Sequence, residues 1–282
     1  MLEAIFTADI HGNKLQYDKL FRFAQDYKCN IILGGDLLPN NIEAKEFIQT
    51  QKRFLMNFLI PKCKEFKRKT GKRVYLILGN DDAKINESLL IKESDISYLS
   101  FRREKMSEFY IVGYSYIPIT PFLIKDWEKY DLDFYSSCIN KAYKENLNNV
   151  LFYGIKSTEK GWKEFVFPKI VTESIEDDLH TRIFTAKSDK TIYVIHSPPN
   201  NTSLDLCSIG HKGSFAIRDF IEKNKPLLTL HGHMHETVKI SGKYKETIGS
   251  TVCVTSGNNP NSDKLSLILM FDGLRDIERT LL

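Results

Sequence analysis

The sequence has no long apolar run, no closely spaced cysteine pair and no strong excess of one charge. Among its 282 residues no apolar stretch approaches the roughly 20 residues that cross a bilayer as a helix. The first ten residues, MLEAIFTADI, are typical of a short strand and not of a basic segment followed by a long apolar one. We therefore expect neither a membrane helix nor a secretory signal.

Cysteine is present, but not in a pattern that forms a disulfide framework or a zinc site. The five cysteines are odd in number, scattered, and without a CxxC pair: Cys29, Cys63, Cys138, Cys207 and Cys253. Such usage predicts reduced thiols that fill the core of a cytoplasmic protein.

The charge balance gives little support to a dedicated nucleic-acid binder. Lys and Arg number 40 against 36 Asp and Glu, a formal charge of +4. One segment deviates, because KCKEFKRKTGKR (62–73) holds seven basic residues. It could contact a phosphate backbone, but we favour a helix end followed by a Thr-Gly turn into the next strand.

Short apolar runs alternate with longer amphipathic ones, which is typical of an α/β domain. AIFTA (4–8), IILG (31–34) and RVYLILG (73–79) are predicted strands, and a helix is predicted from about Lys14. A longer helix from Ala44 should be kinked or ended by Pro61. Towards the C-terminus we predict a helix over 212–224 and several strands, TVKIS (237–241) among them.

Residues 116–190 show several aromatic residues and acidic clusters but no clear period. The interpretation is a single domain over 1–282, in which about 116–190 form an inserted or covering segment. Specificity is expected to lie in this segment and in the loops.

Five short polar motifs fall at or just past the ends of predicted strands, where open α/β sheets build their sites. They are Asp9-Ile10-His11, Gly35-Asp36, Gly79-Asn80-Asp81-Asp82, His196 and Gly232-His233-Met234-His235. Residues two apart on an extended chain point the same way, so each His-containing pair can face one point. Carboxylate, imidazole and amide groups are good ligands for hydrolytic metals.

The ligand count favours two metals. Besides Asp36 there are six candidate ligands, three for each ion, and Asp36 can bridge between the two ions. The six are Asp9, His11, Asn80, His196, His233 and His235. Two metals about 3.5–4 Å apart can share a hydroxide and neutralise phosphoryl oxygens, so hydrolysis of a phosphoester fits this set best.

The ordered series D-x-H, GD, GN-x-D, H, GHxH resembles the calcineurin-like metallophosphoesterase superfamily over residues 9 to 235. The stretch from HSPPNN through GHMHET is further similar to a bacterial and archaeal branch of small predicted phosphoesterases. The resemblance implies a four-layer α/β/β/α sandwich of two mixed sheets flanked by helices. It also implies two divalent or mixed-valence ions, drawn from Mn, Fe, Zn or Ni.

The resemblance assigns a set of ligands to each ion. Metal one takes Asp9, His11, Asp36 and His235. Metal two takes Asp36, Asn80, His196 and His233. His231 matches no ligand of the family pattern, and it either orients a ligand or fills space at the strand end.

The sequence departs from the family pattern after Asn80. Many relatives have a histidine there, which binds phosphate and can protonate the leaving group, whereas this chain has Asp81. Asp81 is a candidate acid only if burial or repulsion from Asp82 raises its pKa, and a turn residue is an equal alternative. We expect a preference for phosphodiesters or activated esters, with Asn80 and Asp81 as catalytic candidates.

Further polar residues near the motifs are candidates for substrate contacts. Asn80 and Asn13 could touch a bound phosphate, but Asn13 is equally suited to cap the helix from Lys14. Ser197, Asp205, His211 and Ser214 follow the His196 motif, and Ser214 could simply cap the next helix. His180, within ESIEDDLH, is expected to be a solvated surface residue.

Two other functions remain open besides a metal-dependent hydrolase of a small phosphoester. One is an interaction scaffold that kept the fold and lost turnover, which the complete set of ligand types disfavours. The other is a nuclease that uses the basic 62–73 segment on nucleic acid. No membrane partner is expected.

Overall fold

Two six-stranded sheets lie at the centre of the described part of the chain. The computed structural model describes residues 1–131, 152–168, 171, 173–183, 187–274 and 276–282. The covering segment expected at 116–190 therefore falls partly outside the described residues, since 132–151, 169–170, 172 and 184–186 are not among them.

The helices, in chain order, are α1 (Lys14–Tyr27), α2 (Ala44–Phe54), α3 (Ile60–Thr70), α4 (Glu87–Ile91), α5 (Ile175–Asp178), α6 (Phe215–Asn224) and α7 (Thr237–Ser241). The first nine strands of the described residues are β1 (Leu2–Thr7), β2 (Asn30–Gly34), β3 (Val74–Ile77), β4 (Ser97–Tyr98), β5 (Arg103–Met106), β6 (Phe109–Tyr114), β7 (Ile117–Pro118), β8 (Glu128–Lys129) and β9 (Tyr153–Thr158). The other nine are β10 (Gly161–Val166), β11 (Thr191–Ile195), β12 (Leu206–Cys207), β13 (Gly210–His211), β14 (Leu228–His231), β15 (Lys245–Ile248), β16 (Thr251–Thr255), β17 (Ser266–Phe271) and β18 (Asp276–Leu281).

Both large sheets are mixed, each with four neighbouring parallel strands and with antiparallel strands beside them. The first has the order β18-β17-β1-β2-β3-β4, with β1 to β4 parallel and β17 antiparallel to β1. The second has the order β15-β16-β14-β11-β6-β5, with β16, β14, β11 and β6 parallel. In each sheet the carboxyl ends of the parallel strands therefore lie on the same side, along the edge that runs across the strand ends.

Alternate residues of the strands belong to different cores. Ile5 and Ile31 belong to the core that includes the apolar faces of α1, α3 and α6, whereas Phe6 and Ile32 belong to the core shared by the two sheets. Because both faces are covered, these strands are apolar throughout. The sheets approach closely at Gly113, where a Cβ would collide with Ile77 and Leu99. The fold is a mixed α/β structure of two large mixed sheets flanked by helices, as the resemblance implies.

Pro61 was expected either to kink or to end the long helix from Ala44, and it does not end it. A π-helical turn over Leu55–Leu59 precedes it, and α3 continues through Thr70. Proline removes one backbone donor and its ring crowds the preceding turn. The wider turn, in which the Ile60 N–H reaches Leu55 O, accommodates the ring without breaking the helix.

The prediction of a strand at 237–241 is wrong. These residues form α7, which Gly242 closes in the left-handed conformation with its N–H bonded to Val238 O. The alternation of β-branched and polar residues favours a strand locally. In the folded chain Val238 packs against Gly257, a contact that the local sequence pattern does not show.

The basic segment 62–73 forms the end of α3 and the turn into β3, as favoured. Gly71 has φ 70° and caps the helix. Five of its cations pair with carboxylates: Lys62 with Asp18, Lys64 with Glu93, Lys67 with Asp95, Lys69 with Glu65, and Arg73 with Glu104. The segment precedes β3, so it lies at the edge of the sheet opposite the carboxyl ends.

Among the described residues no helix is both long and apolar enough to span a membrane. The four described cysteines, Cys29, Cys63, Cys207 and Cys253, are free thiols. Cys138 lies outside the described residues. The cytoplasmic location stays a prediction.

Candidate metal centre

The predicted ligands converge at the edge where the parallel strands of both sheets end. Asp9 and His11 follow β1, Asp36 follows β2, and Asn80 follows β3 in the first sheet. In the second sheet His196 directly follows β11, and His233 and His235 follow β14. Contacts between these side chains cross from one sheet to the other, so the candidate centre joins the two halves of the fold.

One group of donors consists of Asp9, His11, Asp36 and His235, whose ligand atoms all lie within 4.8 Å of one another. The Nε2 atoms of His11 and His235 are 3.1 Å apart. Nε2 of His11 lies 3.8 Å from an oxygen of Asp36, and Nε2 of His235 lies 3.7 Å from one of Asp9. Four donors that face one point could hold a metal ion.

A second group consists of Asp36, His196 and His233, again with ligand atoms within 4.8 Å. Nε2 of His196 lies 3.4 Å from Asp36. The amide oxygen of Asn80 joins this group, since it is 2.7 Å from Nδ1 of His233 and 3.1 Å from Nε2 of His196. Asp36 is the member common to both groups.

Asp36 and His196 shift each other's pKa in opposite directions. Burial opposes ionisation of Asp36, but the charge and hydrogen bond of His196 hold its pKa below the usual value. Burial likewise disfavours the charged imidazole of His196, and the charge of Asp36 nevertheless raises its pKa to about 9. In addition, the backbone N–H of Asp81 donates to Asp36 Oδ1 at 2.8 Å. Asp36 is therefore held as a carboxylate, the form that binds a metal.

The donor set fits a cation because some of its buried atoms have no partner in the described structure. Oδ2 of Asp9 and Nδ1 of His11 are both without a hydrogen bond there. An unsatisfied buried polar atom ordinarily costs about 1–3 kcal/mol, which a bound cation can offset at Asp9. Nδ1 of His196 donates to Gly34 O at 2.7 Å, so Nε2 is the nitrogen that faces Asp36 and that would bind a metal once its own proton is displaced.

The backbone is unusual at several of the donors. Asp9, His11, Asp36 and His233 all have positive φ, between 45° and 68°. Side chains other than glycine seldom adopt this left-handed conformation, and it concentrates at functional sites. Gly35 and Gly79 flank the same place, and a Cβ on Gly35 would lie 2.6 Å from Nδ1 of His196. The glycines of the motifs are thus required by close approach to the donors.

A family model for calcineurin-like phosphoesterases matches residues 3–237. The chain belongs to this family. Its members typically bind divalent metals, in agreement with the two donor groups. No curated protein matches the sequence.

Two solved structures show the same fold at low sequence identity. The chain is similar to TT1561 of Thermus thermophilus, with a TM-score of 0.55, 14% identity and 99% of each chain covered. The other, also a crystal structure, has a TM-score of 0.59 and 15% identity over 99% of each chain. A weaker match is the calcineurin-like phosphoesterase YfkN of Bacillus subtilis, with a TM-score of 0.45 and 13% identity, covering 99% of this chain and 90% of its own.

Asp81 occupies the edge of the phosphoesterase centre. Its two carboxylate oxygens accept hydrogen bonds from the side-chain amides of Asn80 and Asn40, at 2.9 and 2.8 Å. Burial and the nearby charge of Asp36 raise its pKa. The like charge that raises the pKa of Asp81 is therefore that of Asp36, whereas the sequence suggested that of Asp82. Asp81 also lies 3.8 Å from Nδ1 of His11, so it borders the first group of donors.

His231 is separate from the two donor groups. It is fully buried, its Nδ1 lies 3.0 Å from Ile195 O and 2.9 Å from Ser197 O, and its Nε2 lies 2.8 Å from the hydroxyl of Thr229. These bonds attach the end of β14 to the backbone on either side of His196. His231 thus braces a ligand-bearing loop through the main chain.

The remaining candidates have structural partners. Asn13 caps α1 through Gln16 N, and its amide also donates to Pro260 O. Ser214 caps α6. Their contact with substrate stays a prediction.

Asp205 and His211 form a pair at the cavity that adjoins the centre. Asp205 is fully buried and accepts a hydrogen bond from His211 Nδ1 at 2.7 Å, as well as from the backbone N–H of Thr202 and Gly213. Ser197 is buried beside Pro198, and His180 is exposed, as expected. His211 lines the cavity, whereas a substrate contact of Ser197 or Asp205 stays a prediction.

Sequence reasoning missed the supports of the centre. Asp82 is fully buried and accepts hydrogen bonds from the backbone N–H groups of Leu37, Leu38 and Gly79, which joins the loops after β2 and β3. Asn258, after β16, donates to Asp9 O at 3.1 Å. The only sequence signal for either is its position just past a strand.

Metal content should separate His231 from its neighbours. We expect His231→Gln to retain two bound metals, because glutamine can preserve bonds to the main chain. His233→Gln and His235→Gln should each lose one, since each removes a donor from a different group. Elemental analysis after metal loading and dialysis measures this, and equal loss in all three variants would contradict the division.

His231 should also affect acid stability. Burial lowers its pKa to about 4, whereas an unfolded histidine titrates near 6.5. As the pH falls between these two pKa values, His231 is protonated in the unfolded chain but not in the folded one. The free energy of unfolding should therefore decrease by about 1.4 kcal/mol per pH unit. Denaturant unfolding of metal-free protein should show a shallower decrease in His231→Gln. Parallel pH profiles would show that His231 does not titrate in this way.

Proposed function

We propose that this chain is a two-metal phosphoesterase that hydrolyses phosphodiesters or activated phosphoesters. The observation that carries the proposal is the carboxylate of Asp36, which belongs to both groups of donor atoms. A shared carboxylate supports two ions about 3.5–4 Å apart, the spacing found in two-metal hydrolases.

The proposed ligands follow the two groups. One ion is held by Asp9, His11, Asp36 and His235, and the other by Asp36, Asn80, His196 and His233. The ions belong to the Mn, Fe, Zn and Ni series, because mixed imidazole, carboxylate and amide donors suit all four. When bound, they would supply a water acidified to act as nucleophile at neutral pH, together with positive charge for the phosphoryl oxygens.

The residues of the chain hold these donors in place before substrate arrives. The Asp81 N–H fixes one oxygen of Asp36, and the His233 N–H fixes one oxygen of Asp9 at 2.9 Å. Each bond leaves the other oxygen of its carboxylate available. Such preorganisation is a main source of catalytic electrostatics, because no reorientation is needed during the reaction.

Asp81 stands where many relatives carry a proton-donating histidine. A raised pKa makes Asp81 a better proton donor than an exposed aspartate, but both of its oxygens already accept hydrogen bonds from amides. Those bonds stabilise the ionised carboxylate of Asp81, and an ionised carboxylate has no proton to donate to the leaving group. Esters with good leaving groups need the least help from an acid, and we therefore propose a preference for diesters and activated esters.

The nuclease alternative depends on the basic segment 62–73. That segment precedes β3, at the edge of the sheet opposite the donors, and five of its cations are paired with carboxylates. Its position does not favour a nucleic acid that must reach the centre. A small phosphoester remains the proposed substrate.

Loss of the shared carboxylate tests the function. Asp36→Asn should lose both metals and reduce kcat/KM on bis-p-nitrophenyl phosphate by more than about 100-fold. Loss of a residue that only hydrogen-bonds to a metal ligand costs at most about 100-fold. Asp26→Asn, an exposed change on α1, is the matched control and should behave as wild type. A wild-type protein that binds two metals and hydrolyses no phosphoester would favour the scaffold.

The Asp81 position tests ester preference. Wild type should favour bis-p-nitrophenyl phosphate over an unactivated alkyl phosphomonoester such as butyl phosphate, and Asp81→His should raise kcat/KM on that monoester at least about tenfold, since general acids contribute about 10²–10⁴-fold and a poor leaving group needs them most. Asp81→Asn removes the charge without adding a proton donor and should not produce this gain. Strong monoester preference in wild type would refute the proposal.

A further inference from the structure

A cavity of about 1070 Å³ opens directly onto the candidate metal centre. Asp36, Asn80, Asp81, His233 and His235 form its polar end. Pockets for small molecules commonly measure about 300–1000 Å³, so there is room for a substantial group beside the phosphoryl position.

The walls away from the donors are mainly apolar. One wall is the run from Pro118 to Ile124, another is Phe47 of α2 with Trp162 of β10, and a third includes Ile209 in the turn between β12 and β13. The rings of Phe47 and Trp162 lie 5.7 Å apart, centroid to centroid. These walls come from segments distant in the sequence, which the fold brings to one side of the centre.

Several wall side chains remain exposed to solvent although they are large and apolar. The exposed fractions are 51% for Phe122, 55% for Leu123 and 76% for Ile209. The Phe122 ring lies 6.5 Å from the ring of His233, edge to face, so the apolar surface begins beside a proposed metal ligand. Grouped exposed apolar side chains usually mark a binding surface.

We propose that the substrate is an amphiphilic phosphoester, with its phosphoryl group at the donors and an apolar ester chain along this cavity. The inference rests on the proposed phosphoesterase function. The cavity lining also includes Thr120, Asn200, Ser208, His211, Lys212 and Glu236, but along the apolar walls a sugar or other polyhydroxyl ester group would leave polar atoms without partners, which is unfavourable. An alkyl or aryl chain instead gains from burial of both its own surface and the exposed side chains.

The reaction on such a substrate is ordinary hydrolysis. Water adds across one P–O ester bond of a phosphodiester, and the phosphorus gains the hydroxyl oxygen. The departing alcohol takes the proton, so the products are a phosphomonoester and an alcohol. No oxidant, reductant or further co-reactant is required.

A series of alkyl p-nitrophenyl phosphodiesters tests the proposal with Mn²⁺-loaded protein. With methyl, butyl and octyl esters kept below micelle formation, kcat/KM should rise up to about fourfold per added methylene, the equivalent of full burial. Adding the octyl ester in phosphatidylcholine vesicles separates use of the free amphiphile from use of the membrane-bound one.

Two substitutions and a control locate the effect. Phe122→Ser and Ile209→Ser should each flatten the dependence on chain length, and both positions are exposed enough for the fold to persist. Ile91→Ser, at a 43% exposed isoleucine of α4 outside the cavity, should keep the wild-type dependence.

A binding measurement decides the inference independently of turnover. Calorimetry with methyl-, butyl- and octylphosphonate should give a Kd that decreases with chain length in wild type and much less so in Phe122→Ser. If the protein hydrolyses the esters but neither kcat/KM nor the phosphonate Kd changes with chain length, the amphiphile proposal is overturned and the phosphoesterase function is not. Chain-length-dependent phosphonate binding without any hydrolysis would instead overturn the phosphoesterase function and retain the apolar subsite.

Discussion

Bringing several buried donors to one point is the constraint on which the structure depends. Asp9 and Asp36 are both buried, and taking two carboxylates out of water at close range is unfavourable unless charge or hydrogen bonds compensate. The chain supplies part of this compensation through backbone N–H groups and through His196 beside Asp36. Cations held by the donors would supply the remainder.

The two sheets answer this constraint geometrically. Parallel strands end together, so each sheet delivers its donors from short loops along one edge, and the buried Asp82 ties two of those loops together. Left-handed backbone at Asp9 and Asp36 turns the chain sharply after each strand. This local strain is sustained because the apolar core between the sheets fixes the strands on which the loops begin.

The sequence predicted those parts of the molecule that depend on local pattern. Strand periodicity predicted an α/β domain, and the motifs after β1, β2, β3, β11 and β14 predicted that the donors lie together. The arrangement of two sheets flanked by helices followed from the resemblance to calcineurin-like phosphoesterases that those motifs carry. The helix at 237–241 was missed, because its alternation of β-branched and polar residues is locally typical of a strand, while its packing against Gly257 arises only in the folded chain. The cavity was missed too, since Phe47 and Trp162 meet only through the tertiary fold.

The apolar walls also influence the electrostatics of the centre beside them. The Phe122 ring lies 6.5 Å from the ring of His233, and charges interact more strongly where apolar groups exclude water. A substrate chain that fills the cavity would exclude further water from the same side, strengthening the attraction between the donors' cations and the phosphoryl oxygens. Chain binding and stabilisation of developing charge would then be coupled, so an ester with a short chain would lose reactivity as well as affinity.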